Sequence, residues 1–224
     1  MSKEFISKIM SQNSNFNYDN TTLDNGLRVV TGRLPYTNAV SVNLLFGAGS
    51  RYESDELAGI SHLFEHMLFK GTVRRQTPRE ISEIVEGVGG TINAFTDREL
   101  TGYWCRIAQP YYEQGLEVLI DMIRGSLLRD EDIVREKQVV YEEIRATNDS
   151  PAGRAGMMLE AEIWPSQPLG RDIAGTEQSV SEISRESMVK YLKSQYVASN
   201  TVISVAGNVE HNRIVNQISE LMGD

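Results

Sequence analysis

The chain has 224 residues, 40% hydrophobic and 24% charged, with a net charge of −9 and a single cysteine. This is the composition of a globular domain large enough for one substantial core. It excludes an internal disulfide; without a basic stripe it excludes nucleic-acid binding as the main activity, and no run reaches the eighteen or so apolar residues of a membrane span.

Residues 1–20 are polar and Asn-rich and are expected to form an arm or extended lead-in, ahead of a single domain over 21–224. They hold no apolar signal core and no arginine, so a cytoplasmic, bacterial-type location is expected, with an organelle matrix as the second choice. Residues 21–23 and 27–30 flank Asn25-Gly26 and predict a β-hairpin whose turn takes positive φ at that pair. Strict alternation from Val40 predicts a half-buried strand over 40–46, ended by Gly47 and Gly49.

A helix over 59–69 carries His62-Leu63-Phe64-Glu65-His66 and stops at Gly71. Pro78 opens a helix over 78–88, ended by Gly87, Gly89 and Gly90. That glycine cluster follows a helix and opens a strand, the reverse of a phosphate loop, so nucleotide binding is rejected. Arg74, Arg75 and Arg79 read as a solvated approach to this helix. Strands over 91–96 and 101–107 are joined by the polar Asp97-Arg98-Glu99, which suits a hairpin. Cys105 in the second of them reads as a buried, inert thiol, since nothing nearby would lower its pKa. Helices follow over 111–126, 131–148, 152–163 and 185–196, then a strand over 202–206 and a last helix over 211–222. Strands in antiparallel-style pairs and helices in runs indicate an α+β fold, a mainly antiparallel sheet packed by helices.

Two of the three histidines lie in the pentapeptide at 62–66. Random placement would produce His-x-x-Glu-His about 0.004 times in such a chain, so chance is set aside. On a helix, positions i, i+3 and i+4 share one face, so both imidazoles can meet one metal with the carboxylate beside them. The order is that of an inverted zinc-peptidase motif. The other reading is a core helix whose histidines bond internally, because Leu63, Phe64, Met67, Leu68 and Phe69 make it strongly apolar.

A catalytic zinc site needs three protein ligands and an open position. His211 opens the last helix in a polar context and is expected at the surface. The helix over 131–148 offers Glu131, Glu136, Glu142 and Glu143. At about 100° per residue, Ile133, Val140 and Ile144 define its apolar face, with Val139 on one flank. Glu136 and Glu143, separated by about 20°, fall on that semi-buried flank, and Glu142 falls opposite. A divalent cation would compensate acids placed there, as would arginine or backbone donors. This geometry selects Glu136 and Glu143 without choosing between them.

His62, Glu65, His66 and Glu143 together resemble the site pattern of the pitrilysin or insulinase family of zinc peptidases, which includes the mitochondrial processing peptidase. The likeness extends to Gly47-Ala48-Gly49-Ser50-Arg51-Tyr52-Glu53, Phe69-Lys70-Gly71-Thr72, Asn93-Ala94-Phe95-Thr96 and Gly175-Thr176-Glu177, in order, from about Thr21 onward. It implies a metallopeptidase domain binding one zinc ion through His62, His66 and Glu143. Glu65 is then the general base and Glu136 a non-ligand acid that supports catalysis. Asn93, Ala94 and Phe95 resemble the edge strand that pairs with an extended peptide or presequence-like substrate, by main-chain hydrogen bonds that demand no sequence. Family chains generally carry two related domains, so this one is expected to need a second related domain or chain, as a homo- or heterodimer. The alternatives are a non-catalytic scaffold subunit and a half-length subunit active only with its partner.

Overall fold

The computed structural model describes residues 18–223. Six strands, β1 (Tyr18–Thr22), β2 (Arg28–Arg33), β3 (Ala39–Phe46), β4 (Thr91–Thr96), β5 (Thr101–Ala108) and β6 (Thr201–Gly207), form one sheet in the order β1-β2-β6-β3-β5-β4. Every neighbouring pair is antiparallel except β2 and β6. This is the expected α+β architecture, with one parallel pair added. That pair joins segments some 170 residues apart, a long-range choice that local patterning does not encode.

The alternation of β3 turns Val40, Val42, Leu44 and Phe46 to one buried face. Register aligns Leu44 with Tyr103 and Ile203, and Val42 with Cys105 and Val205, so three strands share one apolar surface. Eight helices of the described residues accompany the sheet: α1 (Ile60–Leu68), α2 (Pro78–Glu86), α3 (Tyr112–Gly125), α4 (Asp130–Asp149), α5 (Pro151–Ile163), α6 (Glu177–Glu182), α7 (Arg185–Gln195) and α8 (His211–Met222). None is long and apolar enough to cross a membrane.

Helix α2 starts where Pro78 predicts, and a capping box between Thr77 and Glu80 closes its first turn. Helix α6 has no counterpart in the sequence reading. Its capping box uses Ser179 in place of the usual Glu or Gln, so its signature is weak. Helix α3 lies against β5 so closely that a Cβ on Gly115 would stand 2.8 Å from Cys105 Sγ. Burial pushes the Cys105 thiol up to about 12. The native chain is therefore expected to resist thiol-specific alkylation at neutral pH and to react fully once unfolded. Mass spectrometry after a timed iodoacetamide pulse measures this, and rapid native labelling would contradict it.

Three expectations need correction. Tyr18 to Asn20 do not belong to an arm, because they pair with Gly32, Thr31 and Val30 as part of β1; residues 1–17 lie outside the described residues. The first hairpin closes through Leu23 to Leu27, with positive φ at Gly26 alone. Asn25 instead uses its side chain, accepting from the Leu27 amide and donating to the Met222 carbonyl, so tertiary contacts override the two-residue turn. Arg75 is not solvated: it pairs with Glu117 and Asp121 under the start of α2, and Asp121 also accepts from the Thr72 hydroxyl at 2.6 Å.

Candidate metal centre

Helix α1 is anchored at its N-terminal end and on its buried face. Gly59 precedes it at φ +93°, where a Cβ would lie 2.4 Å from the Ala174 carbonyl oxygen, so only glycine fits. The Glu53 carboxylate accepts from the amides of Gly59 and Ser61 at 2.9 and 2.8 Å, satisfying free donors at the positive end of the helix. Burial pushes the Glu53 carboxyl up, while its hydrogen bonds from Ser61 and Gly59 and the charge of Arg171 pull it down. Leu63, Phe64, Met67 and Leu68 face the core, and Phe64 packs on Tyr191 and Tyr196 with ring centroids 5.7 and 4.9 Å away. The opposite side carries His62, Glu65 and His66.

The two imidazoles stand one turn apart with ring centroids 4.7 Å from each other. Helix α4 crosses α1 and brings Glu143 Oε2 to 3.6 Å from His62 Nε2 and 3.7 Å from His66 Nε2. One donor atom from each of these residues lies within 4.8 Å of the others, and no other such group occurs among the described residues. Donors about 2.0–2.2 Å from one tetrahedral ion stand about 3.3–3.6 Å apart, so two imidazoles and a carboxylate here fit a divalent metal. Burial, followed by the charge of His66, pushes His62 down to about 4, which keeps its ring neutral at pH 7 and its lone pair available.

Glu65 lies outside this triad and faces β4. The Thr96 hydroxyl donates to its Oε2 at 2.5 Å. Burial raises the Glu65 carboxyl, against the lowering effects of Thr96 and His66, and Glu143 adds to the rise. Glu136 and Glu143 have opposite environments. Glu136 is buried, its side chain 10% exposed, with Oε2 3.3 Å from His66 Nδ1 and Oε1 2.8 Å from Lys70 Nζ; Glu143 is 46% exposed and faces the Nε2 atoms. The common semi-buried flank of the helical reading is thus corrected. Val139, 43% exposed, does not extend the apolar face, because α1 meets α4 along one side only.

Asn93, Ala94 and Phe95 sit in β4, the last strand of the sheet, whose outer side carries no strand among the described residues. The Ala94 amide donates to the Asn93 side-chain oxygen at 2.8 Å, and Phe95 is exposed. His211 is remote from the centre and is not free on the surface. Its two ring nitrogens each lie 2.8 Å from a threonine hydroxyl, Thr21 on β1 and Thr31 on β2. Sequence reasoning assigned no role to Thr96 or Lys70. Lys70 falls four residues after His66, the spacing at which side chains share a helix face, and that signal was available.

Residues 28–177 match the family model described as Insulinase (Peptidase family M16), and residues 182–224 match the one described as Peptidase M16 inactive domain. The second match includes β6, an interior strand of the same sheet. A Rickettsia felis protein named an uncharacterized zinc protease is 38% identical over 205 residues, 92% of this chain and 50% of that protein. The mitochondrial-processing peptidase subunit beta of Dictyostelium discoideum is 33% identical over 89% of this chain and 42% of its own length. Among solved structures, a protease from Helicobacter pylori superposes with a TM-score of 0.87 at 27% identity, covering 92% of this chain and 49% of that one. The chain thus spans about half the length of the relatives it matches.

Proposed function

As this chain belongs to the insulinase family, peptidase family M16, we propose that it is the catalytic half of a zinc metalloendopeptidase acting on extended peptides or presequence-like segments. The observation that carries the reading is the convergence of His62, His66 and Glu143 donor atoms within 4.8 Å, beside a Glu65 that is tied to the end of an edge strand.

His62, His66 and Glu143 hold zinc in this proposal. When bound, zinc lowers the pKa of a water toward neutrality and polarises the scissile carbonyl. Glu65 removes the proton from the attacking water and delivers it to the leaving amine. The Thr96 hydrogen bond holds one oxygen of its carboxylate and leaves the other for the proton. Asn93, Ala94 and Phe95 align the peptide as an added strand on β4; the Ala94 amide, now capped by the Asn93 side chain, is released to the substrate backbone. Glu136 orients His66.

The sheet from Tyr18 onward and the helices packed on it act as one domain in this proposal, and a second related domain or chain completes the substrate chamber. The half-length coverage of the relatives supports this. The test is cleavage of an internally quenched, unstructured peptide by the full chain, alone and with its second half supplied. Cleavage should be abolished by a zinc chelator and restored by stoichiometric zinc. Undiminished cleavage by metal-free protein would refute the proposal.

A further inference from the structure

We infer that Lys70 is a positioning residue for the metal centre: its ammonium fixes the Glu136 carboxylate, which in turn holds His66 with Nε2 directed to the metal. The inference rests on the assignment of His66 as a zinc ligand.

Lys70 Nζ lies 2.8 Å from Glu136 Oε1, and Glu136 Oε2 lies 3.3 Å from His66 Nδ1. Each oxygen of the acid has one partner, so the carboxylate plane is held from both sides. An ionised carboxylate only accepts hydrogen bonds, so His66 must present Nδ1–H to it, which leaves the Nε2 lone pair free. His62 has no such support, because its Nδ1 is buried without a hydrogen-bond partner among the described residues. Of the two imidazoles, His66 is therefore the one held at Nδ1, and the chain Lys70–Glu136–His66 holds it. The acid is buried, and an acid there with one unpaired oxygen would turn or draw in water. Local structure places the lysine: Lys70 follows the last turn of α1, its amide bonded to the Met67 carbonyl, and Gly71 at φ +139° then carries the chain away.

The simpler role for Lys70 is to neutralise a buried acid, and the two roles differ in sign. Removing a cation near a metal site strengthens binding of a divalent ion by simple Coulomb attraction. Loss of a positioning residue weakens it.

The full chain and its variants are loaded with zinc in competition with a chromophoric chelator, with circular dichroism to verify folding. Lys70→Met is expected to weaken zinc binding about tenfold, the lower end of what outer-sphere partners contribute, and Lys70→Arg to restore most of it. In a Glu136→Gln background Lys70→Met should add no further loss, because the lysine acts through that acid. Unchanged or tighter zinc binding in Lys70→Met, or an equal loss with and without Glu136, would overturn the inference. Lys70→Gln supplies the same comparison should the methionine variant unfold. Absence of zinc binding by the unmodified chain, or binding indifferent to His66→Ala, would instead remove the ligand assignment beneath it.

Discussion

Glu65→Gln is expected to lower peptide hydrolysis by about 10²- to 10⁴-fold while one zinc per chain remains bound. Glutamine keeps the shape of the side chain, and its carbonyl oxygen can still accept from Thr96, so α1 and the end of β4 stay as they are. What it lacks is the ability to take and return a proton, which is worth about 10²–10⁴ in rate. Zinc is retained because Glu65 is not among the three converging donors. Metal analysis beside a steady-state assay of the complete enzyme measures both outcomes. A zinc-loaded variant that cleaves at the normal rate would remove Glu65 from the mechanism, and one that loses zinc would make it a ligand. A non-catalytic scaffold would show no cleavage before the substitution either.

Glu143→Gln is expected to weaken zinc binding by on the order of 10²–10³-fold. Structural zinc is held by about 10–16 kcal/mol over four ligands, so one ligand accounts for roughly a quarter of that. The amide has no charge and is a poor donor to zinc. The side chain is 46% exposed, so the substitution should leave the fold intact and the loss can be read as ligation. Glu142→Gln is the control. Glu142 pairs with Arg145 at 2.7 Å on the other side of α4 and should leave zinc affinity unchanged. Equal affinities for the Glu143→Gln variant and the unmodified chain, by competition with a chelator of known strength, would mean that the third ligand lies elsewhere.

Much of the local structure was legible because its causes are local. The alternation of β3, the Pro78 start of α2 and the glycine stop at Gly71 each reflect backbone preference or the facing of one element. Elements that depended on distant partners were misread. Asn25-Gly26 signals a tight turn, yet Asn25 is engaged by Met222 from the far end of the chain. Arg75 looks solvated beside Arg74 and Arg79, yet Glu117 and Asp121 lie beneath it.

The site divides along the same line. Spacing alone puts His62, Glu65 and His66 on one helix face, because a helix returns every 3.6 residues whatever surrounds it. Spacing also narrows the distant acid to Glu136 or Glu143, and there it stops, since residues seven apart share an azimuth and differ only by about 10 Å along the axis. The crossing of α1 with α4 separates them: one acid meets Nδ1 of His66 and is buried, and the other meets the Nε2 pair and is exposed. The edge position of Asn93, Ala94 and Phe95 likewise depends on the order of six strands, two of them paired across most of the chain. The sequence by itself determined which residue types share a face. Which faces meet was decided only by tertiary packing, because that is a property of two elements at once.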